Sequence, residues 1–180
     1  MRAVKLLPYY TYDDYCHWEG RWELIDGIPF AMSPAPTPRH QWLVANIMFE
    51  FKSALKKSNC KNCKMYDFID LKIDESTILQ PDSSIVCKPI TKEFLDFPPT
   101  LVVEILSPST ALKDRHTKFS IYEKFGIKYY LIVDPERESE EIYSLENSKY
   151  ILQKTSSEIP FIFSLDEDCK IEVLFKNFWE

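Results

Sequence analysis

The sequence predicts a mixed α/β fold in a single domain over residues 1–180, with a β-rich C-terminal half. Three observations carry this reading. Residues 101–106 are apolar on both sides of a single glutamate, as a central strand covered on two faces must be. A helical period over residues 110–125 and a second strong strand at 128–133 complete a strand-helix-strand unit. Beyond it the chain reads as short segments with period two. With 180 residues, 45% of them hydrophobic, the chain is long enough for one buried core and short for two.

Taken in order, Thr11-Tyr12-Asp13-Asp14 is a capping box that opens a short helix through about residue 18. Residues 22–26 and 28–32 form two short strands around a tight turn at Gly27. Thr37-Pro38 supplies an N-cap and a first helical position for a long helix to about residue 57. At about 100° per residue its buried stripe is Leu43, Val44, Ile47, Phe51, Ala54 and Leu55, with His40 on the same face in the first turn. A histidine in that place reads first as a core-edge residue. Residues 65–73 and 77–87 read as strands, and 89–99 as a loop with a small helical piece at 92–95. Gly126 stops the helix over 110–125, and Asp134-Pro135 ends the strand at 128–133 as a turn. Residues 141–145 and 149–154 pair as a hairpin, and 171–175 add an edge strand.

Several function classes fall away on composition. No apolar run approaches the roughly 20 residues that span a bilayer, and the N-terminal apolar stretch is too short for a secretory signal, so no membrane partner and a cytoplasmic location are expected. The net charge of −6 weighs against nucleic-acid binding by a general positive field. Basic residues do gather locally, at Lys52, Lys56, Lys57, Lys61 and Lys64 and again at Lys113, Arg115, Lys118, Lys124 and Lys128, and most of these, taken singly, read as solvated surface. Five cysteines are an odd number in a chain that needs no staples, which argues for reduced thiols. Cys60 and Cys63 form a CxxC without a second Cys or His pair to complete a zinc tetrahedron, and read as two thiols in a loop.

The chemistry gathers around Glu104, inside the apolar strand, where an ionised carboxylate costs several kcal/mol unless compensated. The core-facing stripe of the following helix contains Ala111, Asp114, Arg115, Lys118, Ile121, Tyr122 and Phe125. Lys113, His116, Thr117, Ser120, Glu123 and Lys124 face away. Upstream, Asp82 begins a strand able to pair beside that of Glu104 and bring the two carboxylates to one end of the sheet. Paired carboxylates suit octahedral Mg²⁺ or Mn²⁺, and a buried lysine beside them suits orientation of a water or stabilisation of a phosphoryl charge. The simpler alternative is a buried ion pair of Glu104 with Lys118 and of Asp114 with Lys118 at i,i+4. Ser107 and Ser109 read as helix caps, with a helix N-terminus able to receive an anion.

Pro81-Asp82, followed 22 residues later by Glu104, resembles the PD-(D/E)xK restriction-endonuclease-like superfamily. The ordered string Trp22-Glu23-Leu24-Ile25-Asp26-Gly27, Pro81-Asp82, Val103-Glu104-Ile105-Leu106-Ser107-Pro108-Ser109-Thr110, Asp114-Arg115, Lys118, Tyr122, Gly126, Tyr130 and Val133-Asp134-Pro135 is similar to the Uma-two family of small stand-alone nucleases, from about residue 10 to about 175. The resemblance implies a restriction-endonuclease-like mixed sheet flanked by helices. It implies Mg²⁺-dependent (or Mn²⁺-dependent) endonuclease hydrolysis of DNA, with Asp82 and Glu104 as metal ligands, Glu23 as a third acidic contributor and Lys118 as the catalytic lysine. In the superfamily that lysine stands two residues after the acidic residue, a position held here by Leu106; Lys118 fits the branches that move it to the next helix. His40 lies near the same end of the sheet. A catalytically inactive binding or regulatory protein on the same fold is the alternative, and a homodimer would supply two sites for cutting two strands.

Overall fold

The structure is a computed structural model and describes residues 8–32, 36–108, 110–156 and 158–180. A short helix α1 (Tyr12–Tyr15) leads into the hairpin β1 (Trp22–Ile25) and β2 (Ile28–Ala31). The long helix α2 (Pro38–Lys57) follows, then β3 (Lys64–Asp67), β4 (Leu71–Asp74), β5 (Thr77–Leu79), β6 (Ser83–Val86) and β7 (Leu101–Ile105). A π-helical segment, Lys113–Lys118, runs into α3 (Phe119–Phe125). Strands β8 (Tyr129–Asp134), β9 (Ser139–Glu146), β10 (Lys149–Leu152), β11 (Phe161–Asp166) and β12 (Cys169–Val173) come next, and a 3₁₀ turn, Phe175–Trp179, closes the described chain.

Among the described residues the central sheet has six strands in the order β10-β9-β8-β7-β6-β3, beside a four-stranded sheet β2-β1-β5-β4 and the ribbon β11-β12. Only β7 and β8 in the central sheet run parallel, joined by the helix as strand-helix-strand geometry requires. Successive β7 side chains serve opposite layers. Leu101, Val103 and Ile105 meet the α2 stripe in a core that includes Ile47, Phe51, Phe163 and Phe178. Val102 joins Tyr122, Tyr130, Ile132 and Leu71 in a second core under α3. Both faces of β7 are therefore dry, and its apolar sequence follows from that.

Local chemistry accounts for most element ends. Thr37 caps α2 by accepting from the His40 backbone N–H at 3.2 Å, and Pro38 occupies its first position. Asp26 and Gly27 both take positive φ, the mirror-image turn that lets β1 and β2 twist together; the Tyr9 ring lies where a side chain on residue 27 would go. Gly126, at φ 88, ends α3 in the left-handed conformation.

Beyond the π-helical segment inside the helix expected at 110–125, and the edge strand expected at 171–175 that runs over Cys169–Val173 with Phe175 in the 3₁₀ turn, the structure departs from the sequence reading in five places. Helix α1 stops at Tyr15, short of residue 18. The two strands expected at 65–73 and 77–87 are four, broken where Phe68 turns to positive φ and where Pro81 removes a ladder donor. Residues 92–95 bend without forming a helix, and Leu95 bridges to Leu71. Strand β11 had no clear signal, since its apolar run follows a Pro and Ser-rich stretch.

The cysteines are the fifth departure. Cys60 bonds to Cys169 and Cys63 to Cys87, while Cys16 is free and exposed. The β3–β6 register, Lys64 against Val86, sets Cys63 opposite Cys87. Five reduced thiols are not what the fold holds, and the support they lent to a reducing, cytoplasmic location goes with them. No helix among the described residues is long and apolar enough to cross a membrane. Thiol titration of the folded protein is expected to count one reactive cysteine. Cys169→Ser, which opens a cross-link between residues 109 apart, is expected to lower unfolding free energy by about 3–5 kcal/mol in denaturant melts. Five reactive thiols in the folded, unreduced protein would refute both cross-links.

Candidate active site

Four carboxylates converge where β1, β6, β7 and the π-helical segment meet. Glu23 and Glu104 come from interior positions of β1 and β7, Asp82 immediately precedes β6, and Asp114 lies in the π-turn; all are buried. The β6–β7 register, Ser83 against Val103, carried one step further sets Asp82 opposite Glu104, as the sequence reading anticipated.

Lys118 occupies the middle of this group at 2% exposure. Its Nζ lies 2.7 Å from Glu23 Oε1, 2.8 Å from Glu104 Oε1 and 3.5 Å from Asp114 Oδ1. Lys113 Nζ donates to Glu23 Oε2, and the Gln80 backbone N–H donates to Oε1 at 3.2 Å. The Tyr122 hydroxyl donates to Glu104 Oε1 at 2.6 Å. Asp82 Oδ2 accepts from the Ile105 backbone N–H at 2.8 Å and lies 3.2 Å from His40 Nε2. His40 thus reaches the site from the first turn of α2, and its buried Nδ1 has no hydrogen-bond partner among the described residues.

Charge and burial set the protonation behaviour. Burial alone would push the Lys118 ammonium down, but Glu104, Glu23 and Asp114 outweigh it and hold Lys118 well above the usual lysine range. For Glu23 burial raises the pKa, while Lys118 and Lys113 pull it below the ordinary value. Glu104 goes the other way. Its burial, reinforced by Asp114, Asp82 and Glu23, exceeds the pull of Lys118 and lifts it well above the usual carboxylate range. Asp114 is raised chiefly by burial as well. Counted as ionised, four carboxylates face two ammonium groups, and the raised Glu104 and Asp114 are the response to that excess of acid groups.

That excess, with two adjacent carboxylates, is the donor chemistry a hard divalent cation takes. The bonds described above use Asp82 Oδ2 and Glu104 Oε1, and none of them uses the second oxygen of either group. Glu23 is held instead by the two lysines, and no trio of His, Cys, Asp or Glu among the described residues is gathered in ligand geometry. A metal would therefore rest on Asp82 and Glu104 with water completing its shell.

The structure brings together all four residues singled out from sequence, together with His40. It also adds Lys113, which an α-helical period turns outward; the π-turn carries it back to Glu23. Arg115, placed by the same period on the core stripe, instead pairs outside the cluster with Glu141 at 2.6 Å and lies 3.8 Å from Asp134. Asp134 is the turn former expected, accepting from the Glu136 and Arg137 backbone N–H groups. Ser107 bonds with Thr110 at the start of the helical segment, and Ser109 lies outside the described residues.

Two outcomes follow for stability. Lys118→Met leaves Glu23, Glu104 and Asp114 without their common cation and is expected to lower unfolding free energy by about 3–5 kcal/mol; an unchanged urea midpoint would contradict the buried pairing. Glu104 and Asp114 hold protons in the folded chain at pH values where the unfolded chain has lost them. In chelator, stability is therefore expected to fall as pH rises from the ordinary carboxylate range towards neutrality. Glu23 acts oppositely, its contribution being lost only as pH falls through its lowered value. Glu104→Gln should flatten the decline in a melting series over pH, and an undiminished slope would assign it elsewhere.

The site and fold can be set beside known proteins. Residues 10–167 match the Uma2 family, described as "Putative restriction endonuclease". An uncharacterized protein of Synechocystis sp. (strain PCC 6803) is 32% identical over 124 residues, 64% of this chain and 63% of that protein, so the match spans less than two thirds of the relative's length. A crystal structure from Anabaena variabilis, described as "a putative nuclease belonging to DUF820", superposes with a TM-score of 0.72 at 15% identity, over 94% of this chain and 97% of that one. At that identity the likeness is one of fold. The family match, by contrast, runs in sequence from ahead of β1 to the β11–β12 turn, and on that ground the chain belongs to the Uma2 family of restriction-endonuclease-like proteins.

Proposed function

We propose that the protein is a divalent-metal-dependent endonuclease that hydrolyses phosphodiester bonds of DNA, with Asp82 and Glu104 holding Mg²⁺ or Mn²⁺. One observation carries the reading: a buried group of four carboxylates is matched by only two lysines, with Asp82 and Glu104 opposite each other on neighbouring strands. The nuclease character of the family and the fold supports the same reading.

A bound divalent ion would polarise the phosphoryl oxygen and lower the pKa of water, contributing several kcal/mol to the barrier. The chain's own residues divide the remaining work. Lys118, held protonated by its three carboxylates, has no capacity to take a proton; it serves as a donor that orients water or offsets phosphoryl charge. Glu23 positions Lys118 and, through Lys113, links the site to its more open side, where Lys113 is 19% exposed. Tyr122 fixes Glu104, and the Ile105 backbone N–H fixes Asp82, so neither ligand needs to reorganise. His40 adds a second contact to Asp82 from α2.

A second reading, a catalytically inactive binding protein on the same scaffold, is favoured by one feature: the donors of Lys118 already lie on carboxylates. Calorimetric titration with Mn²⁺ and a plasmid nicking assay separate the two. The wild type is expected to bind Mn²⁺ and nick plasmid, and Asp82→Ala/Glu104→Ala to lose binding and about 10³-fold or more of the rate. Nicking that survives in the double variant would remove these residues from catalysis. A wild type that binds no metal would leave the inactive scaffold as the reading.

A further inference from the structure

Helix α2 buries one side against the central sheet and leaves the other open. On the open side Trp42 and Phe49 are 42% and 68% exposed, seven residues apart and so two turns along the same face. Lys52 and Lys56 continue that face.

Two grooves run along one side of this face and share Lys52, with Trp42 and Phe49 outside both. One, of about 470 Å³, is lined by Arg21, Gln41, Ala45, Met48, Lys52 and Phe68 among others. There the Arg21 guanidinium stacks 4.1 Å over the Phe68 ring, and the Phe68 backbone N–H donates to the Asp82 carbonyl at 3.3 Å. The other, of about 450 Å³, has Lys52, Lys56, Lys61, Lys64, Met65 and Tyr66 in its walls. Five cations therefore line a surface whose acidic members are Asp67, in the first groove, and Glu50, which is engaged by Asn177. In a chain of net charge −6 this is a local reversal of sign.

We propose that the open face of α2, with the two grooves beside it, is the track for an unpaired nucleic-acid strand leading to the acidic site. The inference rests on the nuclease reading and narrows its substrate to single-stranded or strand-separated nucleic acid. Cations spaced along a groove answer a phosphate backbone, and exposed rings on the helix face beside it stack on bases, which a closed duplex does not offer. The stretch from Trp42 to Lys56 is about 21 Å long, room for about four nucleotides. The first groove runs towards the candidate site, because Phe68 in its wall bonds to the Asp82 backbone, and His40, on the buried side of the first turn of α2, touches the Asp82 side chain. A second copy of this chain is the poorer occupant, since a two-fold contact brings the same basic surface of both copies together.

The test uses the intact protein in chelator, with fluorescein-labelled dT16 and a matching duplex as probes and anisotropy as the readout. Wild type is expected to bind dT16 more tightly than the duplex. Trp42→Ala/Phe49→Ala should weaken dT16 binding by about tenfold or more. Lys52→Ala/Lys56→Ala should weaken it and reduce the salt slope by about 1.4, at about 0.7 for each lysine. All four side chains are exposed, and melting curves verify that both variants fold. Wild-type affinity in both variants, a preference for duplex, or absence of binding would overturn the track. A dimer that Trp42→Ala/Phe49→Ala splits while dT16 binding stays intact would assign the face to a second copy instead. Failure of the two ideas is distinguishable: ring-dependent binding without metal-dependent cleavage sinks the nuclease reading alone, and cleavage with ring-independent binding sinks the track alone.

Discussion

The Lys118 ammonium among Glu23, Glu104 and Asp114 is the interaction around which the rest of the structure is arranged. A buried cation needs its partners in place, and removing one side of such a group leaves an uncompensated charge in a dry interior. Glu23 belongs to the four-stranded sheet, Glu104 to the six-stranded sheet and Lys118 to the helical segment between β7 and β8. One ammonium therefore ties three parts of the fold together by charge where apolar contact alone would leave their relative position loose. Tyr122 and Tyr130 extend the tie, one donating to Glu104 and the other to the Asp114 carbonyl.

The π-turn over Lys113–Lys118 serves the same constraint. Residues five apart on an α-helix stand about 140° from each other and cannot address one carboxylate together. A π-turn closes from i to i+5 and stacks them, so Lys113 and Lys118 both reach Glu23. The extra residue in the turn weakens the local helix, and the ion pairs offset that cost. Segments of this kind gather at functional sites for this reason: they aim side chains that a regular helix would send elsewhere.

Even with two lysines the cluster remains short of positive charge, and the raised Glu104 and Asp114 express that shortage in protonation. A site arranged this way is more strained at neutral pH than a fully neutralised core, and the divalent cation proposed for it would relieve that strain where a third lysine would merely fill it. The surface shows the complementary pattern. An acidic chain that concentrates Arg21, Lys52, Lys56, Lys61 and Lys64 beside its α2 face separates its charges into an interior acidic centre and an exterior basic approach. Such separation would steer the strand proposed above towards a site that would otherwise repel it.

The sequence by itself determined the long helix α2 to about its last residue, the β1–β2 hairpin, the central β7 strand and the grouping of Asp82, Glu104 and Lys118, to which the resemblance of the ordered motifs added Glu23. These were legible because periodicity, caps and turn residues are local, and because a charge in an apolar run is conspicuous wherever it is read. The pairs of Lys118 with Glu104 and Asp114 were also open to a reading of the sequence, while tertiary structure alone decided the other contacts. The pairing of Cys63 with Cys87 depends on the β3–β6 register, and that of Cys60 with Cys169 on where β12 lies beside the end of α2. Lys113 turned inward only once a π-turn replaced an α-turn, a choice made by Glu23 from another sheet, and His40 met Asp82 only when α2 crossed the end of β6. Contacts between residues distant in the chain leave no period and no spacing in it, and so they wait for the fold.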